Sequence, residues 1–242
     1  MYEAVHAYPD GDATVARYAH TAAESGFDGV VVRTSEALTS TPGGDDSPRA
    51  DATAISEEYG VDVVDAVEID AENPSSAGGA VGNHRPDHTL LLVAGGTNAL
   101  NRFAVEEPRV DVLTHPMDGT GDFNHVLAKA ARDNDVHVEF DFGPVLRASG
   151  GRRVQALADL RKLREIVTYD DAPHVVSATP RSHLELRAPR ELVAVAERAG
   201  FDADWIREGL SAWGELATRN RERRSEGFIA PGVRRGRYET ER

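Results

Sequence analysis

Chemically capable side chains stand directly after several short apolar runs of this 242-residue chain. In order they are His6, Arg33, Glu68, His115, Glu139 with Asp141, and Ser177, with Gly95 after the fourth run. Imidazoles and carboxylates at strand ends are the groups that bind metal ions or move protons. A hydrolytic cluster needs several of them in concert, plus an open position for water. His6, Glu68 and His115 are the metal candidates, and three scattered residues fall short of a ligand set. The plainer reading makes them polar groups bonded to backbone or to one another. Ser177, in V-V-S-A-T, has no base evident in the sequence, and no GxSxG, Walker, HExxH or EF-hand pattern occurs. Cysteine is absent, which removes thiol nucleophiles, disulfides and cysteine–zinc sites.

Those residues need a scaffold that brings strand ends together. Candidate strands are Glu3–His6, Gly29–Arg33, Val61–Ile69, Thr89–Ala94, Val110–Leu113, Val136–Phe140 and His174–Ser177. Most are rich in Val, Ile and Leu without alternation, the pattern of parallel strands buried on both faces. Helices fall between them. Asp12 caps one that runs to Glu24 and stops at Gly26, and Asp122 precedes Phe123–Arg132. Ser149 precedes a helix through Val154, Leu157, Leu160, Leu163 and Val167; Pro189 opens another that ends before Gly200, and Asp202 or Asp204 the next. Alternating strands and helices fit a doubly wound sheet or a (β/α) barrel, and no GxGxxG follows the first strand to favour the sheet. Thr34–Pro48 and Ala71–Asp87, rich in Gly, Pro and Ser, read as long loops. Residues 1–218 are expected to form the barrel. Arg219–Arg242, with eight Arg against four Glu, is expected to leave it as a basic C-terminal arm.

Two resemblances bear on these residues. His6, Glu68 and the His115–Pro116 pair resemble parts of the metal-binding pattern of the PHP phosphoesterases. Tyr8, however, stands where that pattern has its second histidine, and Ala178, Thr179 and Pro180 replace its late D-x-H. The stretch from Val136 to Ile229 resembles the p-thirty family of ribonuclease P proteins, called component 3 in archaea. It carries a Val-Val-Ser-Ala strand at 175–178, E-L-R-x-P at Glu185–Pro189, and G-F-I at Gly227–Ile229. Upstream, P-R-V-D-V-L-T-H-P and F-N-H-V-L-A-K-A extend the likeness over nearly the whole chain. It implies a TIM-barrel-like fold of seven to eight parallel strands, related to the PHP enzymes. It also implies a protein subunit without a catalytic site or bound metal of its own. The ribonuclease P RNA would use Mg²⁺ to remove the 5′ leader of precursor tRNA, with component 2 and other protein components as partners. A PHP-type phosphoesterase is the alternative.

Composition sets the conditions under which such a protein would work. Asp and Glu total 41 against 27 Lys and Arg, and only Lys129 and Lys162 are lysines. A net charge of −14 with almost no lysine fits a cytoplasm of molar salt, where the Debye length shrinks to about 3 Å and self-repulsion is screened. Long-range attraction to RNA is screened as well, so local contacts must carry binding. Between Arg147 and Arg190 there are eight Arg and one Lys against five acidic residues. Arginine suits RNA because its planar fork takes two phosphate oxygens. The expected RNA ligands are Lys129, Arg147, Arg152, Arg153, Arg181, Arg187 and Arg190. The competing reading makes Arg161, Lys162 and Arg164 a solvated helix face paired with Asp159 and Glu165. Aromatic content of 6% argues against a stacking platform. No run of 18 apolar residues is present and the N-terminal stretch lacks the features of a secretory signal, so a cytoplasmic location without a membrane partner is expected.

Overall fold

The computed structural model describes residues 1–38, 50–225, 228–230 and 233–234. Seven parallel strands run in sequential order: β1 (Tyr2–Val5), β2 (Gly29–Val32), β3 (Asp62–Ile69), β4 (Leu90–Ala94), β5 (Val112–Thr114), β6 (His137–Asp141) and β7 (His174–Ser177). Helices cover the outside: α1 (Val15–Ser25), α2 (Ala52–Tyr59), α3 (Pro74–His84), α4 (Asn98–Glu106), α5 (His125–Asp133), α6 (Gly143–Arg147), α7 (Gly150–Tyr169), α8 (Pro189–Arg198) and α9 (Ala203–Arg224). A short antiparallel pair, β8 (Phe228–Ala230) with β9 (Val233–Arg234), follows. The result is a nearly closed TIM-barrel-like α/β fold. The strands are legible because Gly29–Val32 and Leu90–Val93 are buried at every residue, so neither face tolerates a polar alternate.

No ladder joins β1 to β7, and side chains close that seam. Glu3 Oε1 accepts from Ser177 Oγ at 2.7 Å and from the Ala178 amide at 2.8 Å, while the His6 amide donates to Pro180 O at 3.0 Å. Ser177 is therefore a fully buried seam residue, its hydroxyl bonded to the Glu3 carboxyl. Burial pushes the Glu3 carboxyl up to about 7, against the hydrogen bonds from Ser177 and Ala178.

Helix α9 closes the opposite end. Trp213 is fully buried and its indole N–H donates to Val176 O at 2.9 Å. Further along, Asn220 Nδ2 donates to Thr89 O and Asp111 Oδ1, Arg221 forks onto Asp62, and Arg219 pairs with Asp135 and Asp111. All these partners lie at the amino ends of strands, so α9 crosses the floor of the barrel. Residues 219–224 were placed in the basic arm on charge alone. They are instead the last turns of this helix, with Arg219 and Arg221 bonded to residues at the strand starts and Arg224 to Pro86 O. From Glu226 onward the expected arm lies mostly outside the described residues.

Local signals explain the other departures. The segment Ala71–Asp87, read as a loop, contains α3: Asn73 and Ser76 form a reciprocal capping box, Pro74 takes the first turn, and Ala77 and Val81 face the core. Its glycines and serines masked that start signal. The side-chain caps of α1 and α5 are Thr14 and Asn124, each two residues beyond the aspartate expected from sequence. Most of the other loop, Thr34–Pro48, lies outside the described residues.

Candidate functional site

The carboxyl ends of the strands form a mouth built around one buried guanidinium. Arg33, at the end of β2, has no exposed side-chain surface. It forks onto Glu139 of β6, with Nη1 at 3.2 Å from Oε2 and Nη2 against Oε1, and Nη1 also reaches Glu68 of β3 at 3.5 Å. From beneath, the guanidinium lies 5.6 Å from the Trp213 ring centroid. Burial opposes the charge of Arg33, but Glu139 and Glu68 outweigh it and raise the pKa, so the cation is fixed. Glu68 also accepts from Thr114 Oγ1 at 2.5 Å and lies 3.8 Å from His6 Nε2 and 3.6 Å from His115 Nε2.

The three metal candidates thus do converge, with both imidazoles close to Glu68 but just beyond hydrogen-bond distance of it. Burial, then the charge of Arg33, lowers the His6 pKa to about 4, so this imidazole is neutral at pH 7. Burial pulls His115 down too, but Glu139, Glu68 and Asp141 prevail and raise it. The set does not fit a PHP-type metal centre. A fixed cation sits between the two glutamates that would be ligands, Tyr8 is 68% exposed, and Ala178, Thr179 and Pro180 offer no carboxylate–imidazole pair. Among the described residues no group of three or more His, Asp or Glu side chains is arranged to hold a metal ion. The rim is strained: His115 and the β-branched Thr179 have φ of 51° and 44°, a conformation that costs roughly 1–3 kcal/mol per residue.

The rim also carries the predicted arginines, and most have structural tasks. Arg147 donates to Ala178 O at 2.8 Å and Thr179 O at 3.2 Å, bracing the strained turn after β7. That contact places the Arg147 group and the Arg181–Arg190 loop side by side. Arg153 Nε donates to Ala148 O at 2.8 Å, Arg181 to Asp10 O at 2.5 Å, and Arg187 to Leu184 O and Leu186 O at 3.1 Å each. Lys129, Arg152 and Arg190 are exposed and make no hydrogen bond or ion pair within the described chain. Arg161 and Arg164 bond Ala199 O and Gly200 O, and Lys162 pairs with Asp122 at 2.7 Å. They tie α7 to its neighbours, whereas sequence had paired them with Asp159 and Glu165. Arg33 was visible as a strand-end residue, but its partners lie 35 and 106 positions away and nothing local names them.

A family model described as RNase P subunit p30 matches residues 1–225. The chain belongs to the RNase P subunit p30 family. Among similar curated proteins, ribonuclease P protein component 3 of Halorubrum lacusprofundi is 74% identical over 240 residues, covering 99% of both chains. The Haloarcula marismortui protein of that name is 60% identical, over 97% of this chain and 96% of its own. Such relatives, from salt-loving archaea, match the acidic, lysine-poor composition. An archaeal ribonuclease P chain solved by cryo-EM with mature tRNA superposes over the whole of both chains with a TM-score of 0.82 at 21% identity. A putative histidinol phosphatase of Listeria monocytogenes reaches a TM-score of 0.51 at 10% identity, over 77% of this chain and 97% of its own. That likeness concerns the fold. As an RNase P p30 protein the chain is a subunit of a tRNA-processing nuclease, and the phosphoesterase alternative is not favoured. Among the described residues no helix is long and apolar enough to cross a membrane.

Proposed function

We propose that this RNase P subunit supplies no catalytic site of its own and acts by holding RNA and a protein partner on the rim of its barrel. The ribonuclease P RNA, with Mg²⁺, would cut the 5′ leader from precursor tRNA in the cytoplasm, and component 2 would be the nearest protein companion. This chain would bind no cofactor. The observation that carries the reading is the Arg33 guanidinium, ion-paired between Glu139 and Glu68 at the point where a hydrolytic barrel would gather its cation.

RNA would be met by Lys129, Arg147, Arg152, Arg153, Arg181, Arg187 and Arg190, with the greatest weight on the three that have no partner among the described residues. Arg152 and Arg190 stand in the first turns of α7 and α8, where free backbone N–H groups add to the attraction for phosphate. The four engaged arginines, held by backbone carbonyls, would contribute less. The test is RNA association at fixed high salt. Arg152→Ala with Arg190→Ala should weaken binding of the ribonuclease P RNA by about tenfold or more with an unchanged melting temperature. An unaltered binding curve would remove this rim from the RNA interface.

A further inference from the structure

Beside the mouth, the amino-terminal half of α7 and the loop after β5 line an open cavity of about 260 Å³. Its walls are apolar where Pro116, Met117, Leu160 and Leu163 meet, and acidic where Asp141 and Asp159 face in. Each of these two carboxylates is half used. Asp141 Oδ1 accepts from the Gly143 amide at 2.7 Å and Thr179 Oγ1 at 2.8 Å, and Asp159 Oδ1 accepts from Gln155 Nε2 at 2.8 Å. The second oxygen of each receives no hydrogen bond from the described chain. Glu139 also lines the cavity but is committed to Arg33, and Asp118 lies 3.6 Å from His115. Arg152 stands on the lining, yet no carboxylate comes within ion-pair distance of it.

The vacant acceptors call for a ligand with several N–H donors on an apolar stem. A phosphate is disfavoured, because Asp118, Asp141 and Asp159 outnumber the unpaired Arg152 on the lining. An ammonium fits less well than a guanidinium, which is planar, less strongly hydrated and can serve two carboxylates at once. The alkyl stem of an arginine matches the Met117 and Leu160 walls. Partial burial matters in molar salt: fully exposed ion pairs lose most of their attraction there, while a partly buried pair is screened less. We infer that this cavity receives an arginine side chain of a protein partner, anchoring that partner beside the RNA-facing rim.

The inference rests on the chain working in a protein–RNA assembly, and a test on the isolated chain lets the two readings fail separately. The chain has two methionines, Met1 and Met117, so selective ¹³C-methyl labelling gives one reporter in the cavity and one far from it. Titration with acetyl-Gly-Arg-Gly-amide in high salt should move the Met117 signal saturably and leave Met1 still. The lysine peptide should bind about tenfold more weakly and the citrulline peptide should give no shift. Asp159→Asn should reduce affinity about tenfold at unchanged melting temperature, and Ala156→Leu, which fills the cavity, should abolish the shift. A silent Met117 up to about 10 mM arginine peptide, or equal shifts from the citrulline peptide, would overturn the inference. So would a Met117 response to guanosine monophosphate without one to the arginine peptide, which would give the cavity to RNA.

Discussion

The mouth and the floor of the barrel both rest on arginine–carboxylate pairs, but the two sets live in different solvents. At the mouth, Arg33 and Glu139 have no exposed side-chain surface; on the floor, Arg219 and Arg221 are 26% and 42% exposed beside Asp111 and Asp62. Buried charges repay their desolvation only while both partners remain, whereas exposed pairs contribute little and lose that in salt. The mouth network is therefore a fixed internal part of the barrel, and the floor network is a set of adjustable fastenings under α9. Neither network offers a cation free for RNA; Lys129, Arg152 and Arg190, which have no partner among the described residues, stand outside both.

The largest contrast should come from Arg33. Arg33→Met leaves Glu139 buried without its partner and should cost about 3–5 kcal/mol in urea unfolding, while the double change with Glu139→Leu should recover most of the loss. A small loss would mean that water reaches the mouth and that it resembles the floor.

Truncation sharpens the difference from the other end. A chain ending at Thr218 loses Asn220, which bonds Thr89 O and Asp111, together with the floor arginines. It should be less stable by about 2–4 kcal/mol, while a chain ending at Ser225 should match the full length. Equal stability of the two would return residues 219–224 to the arm.

The seam carries a pH dependence of its own. Glu3 has a folded value of about 7 against an ordinary 4.5, so the folded chain holds an extra proton between these limits. Its contribution is fully present below about pH 4.5 and is lost as pH rises through about 7, at most about 3.5 kcal/mol at roughly 1.4 kcal/mol per unit. Stability of the Glu3→Gln chain, measured from pH 5 to 8, should fall less steeply than that of the parent. Parallel profiles would show that Glu3 is charged throughout. Smallest of all, Arg221→Ala should cost less than about 1 kcal/mol at low salt and almost nothing at 2 M.

How much of this was legible in the sequence follows the same division. Strands announced themselves because a run such as Leu90–Val93 permits no other burial, and Gly26 and Pro189 marked helix ends through backbone geometry alone. His6, Glu68 and His115 were found because strand ends meet in a barrel. The Arg33 fork, the Glu3 seam and the α9 floor were hidden, since each joins residues distant in sequence and a charged side chain carries no local sign of its partner. The arm was misplaced for that reason: a basic stretch looks the same whether it meets solvent or the carboxylates of strand starts. Helix α3 was lost for the opposite reason, a correct cap signal buried in loop-like composition.

The central claim is that the mouth is structure and that the assembly's RNA does the cutting. Precursor-tRNA cleavage tests it directly, comparing the isolated chain supplied with Mg²⁺, Mn²⁺ or Zn²⁺ against the reconstituted assembly carrying wild-type, His6→Ala or His115→Ala subunit. The account predicts no cleavage by the isolated chain and near-wild-type cleavage by both substituted assemblies, with the folds softened by about 1–2 kcal/mol. Cleavage by the isolated chain that either substitution abolishes would contradict it and make the mouth an active site.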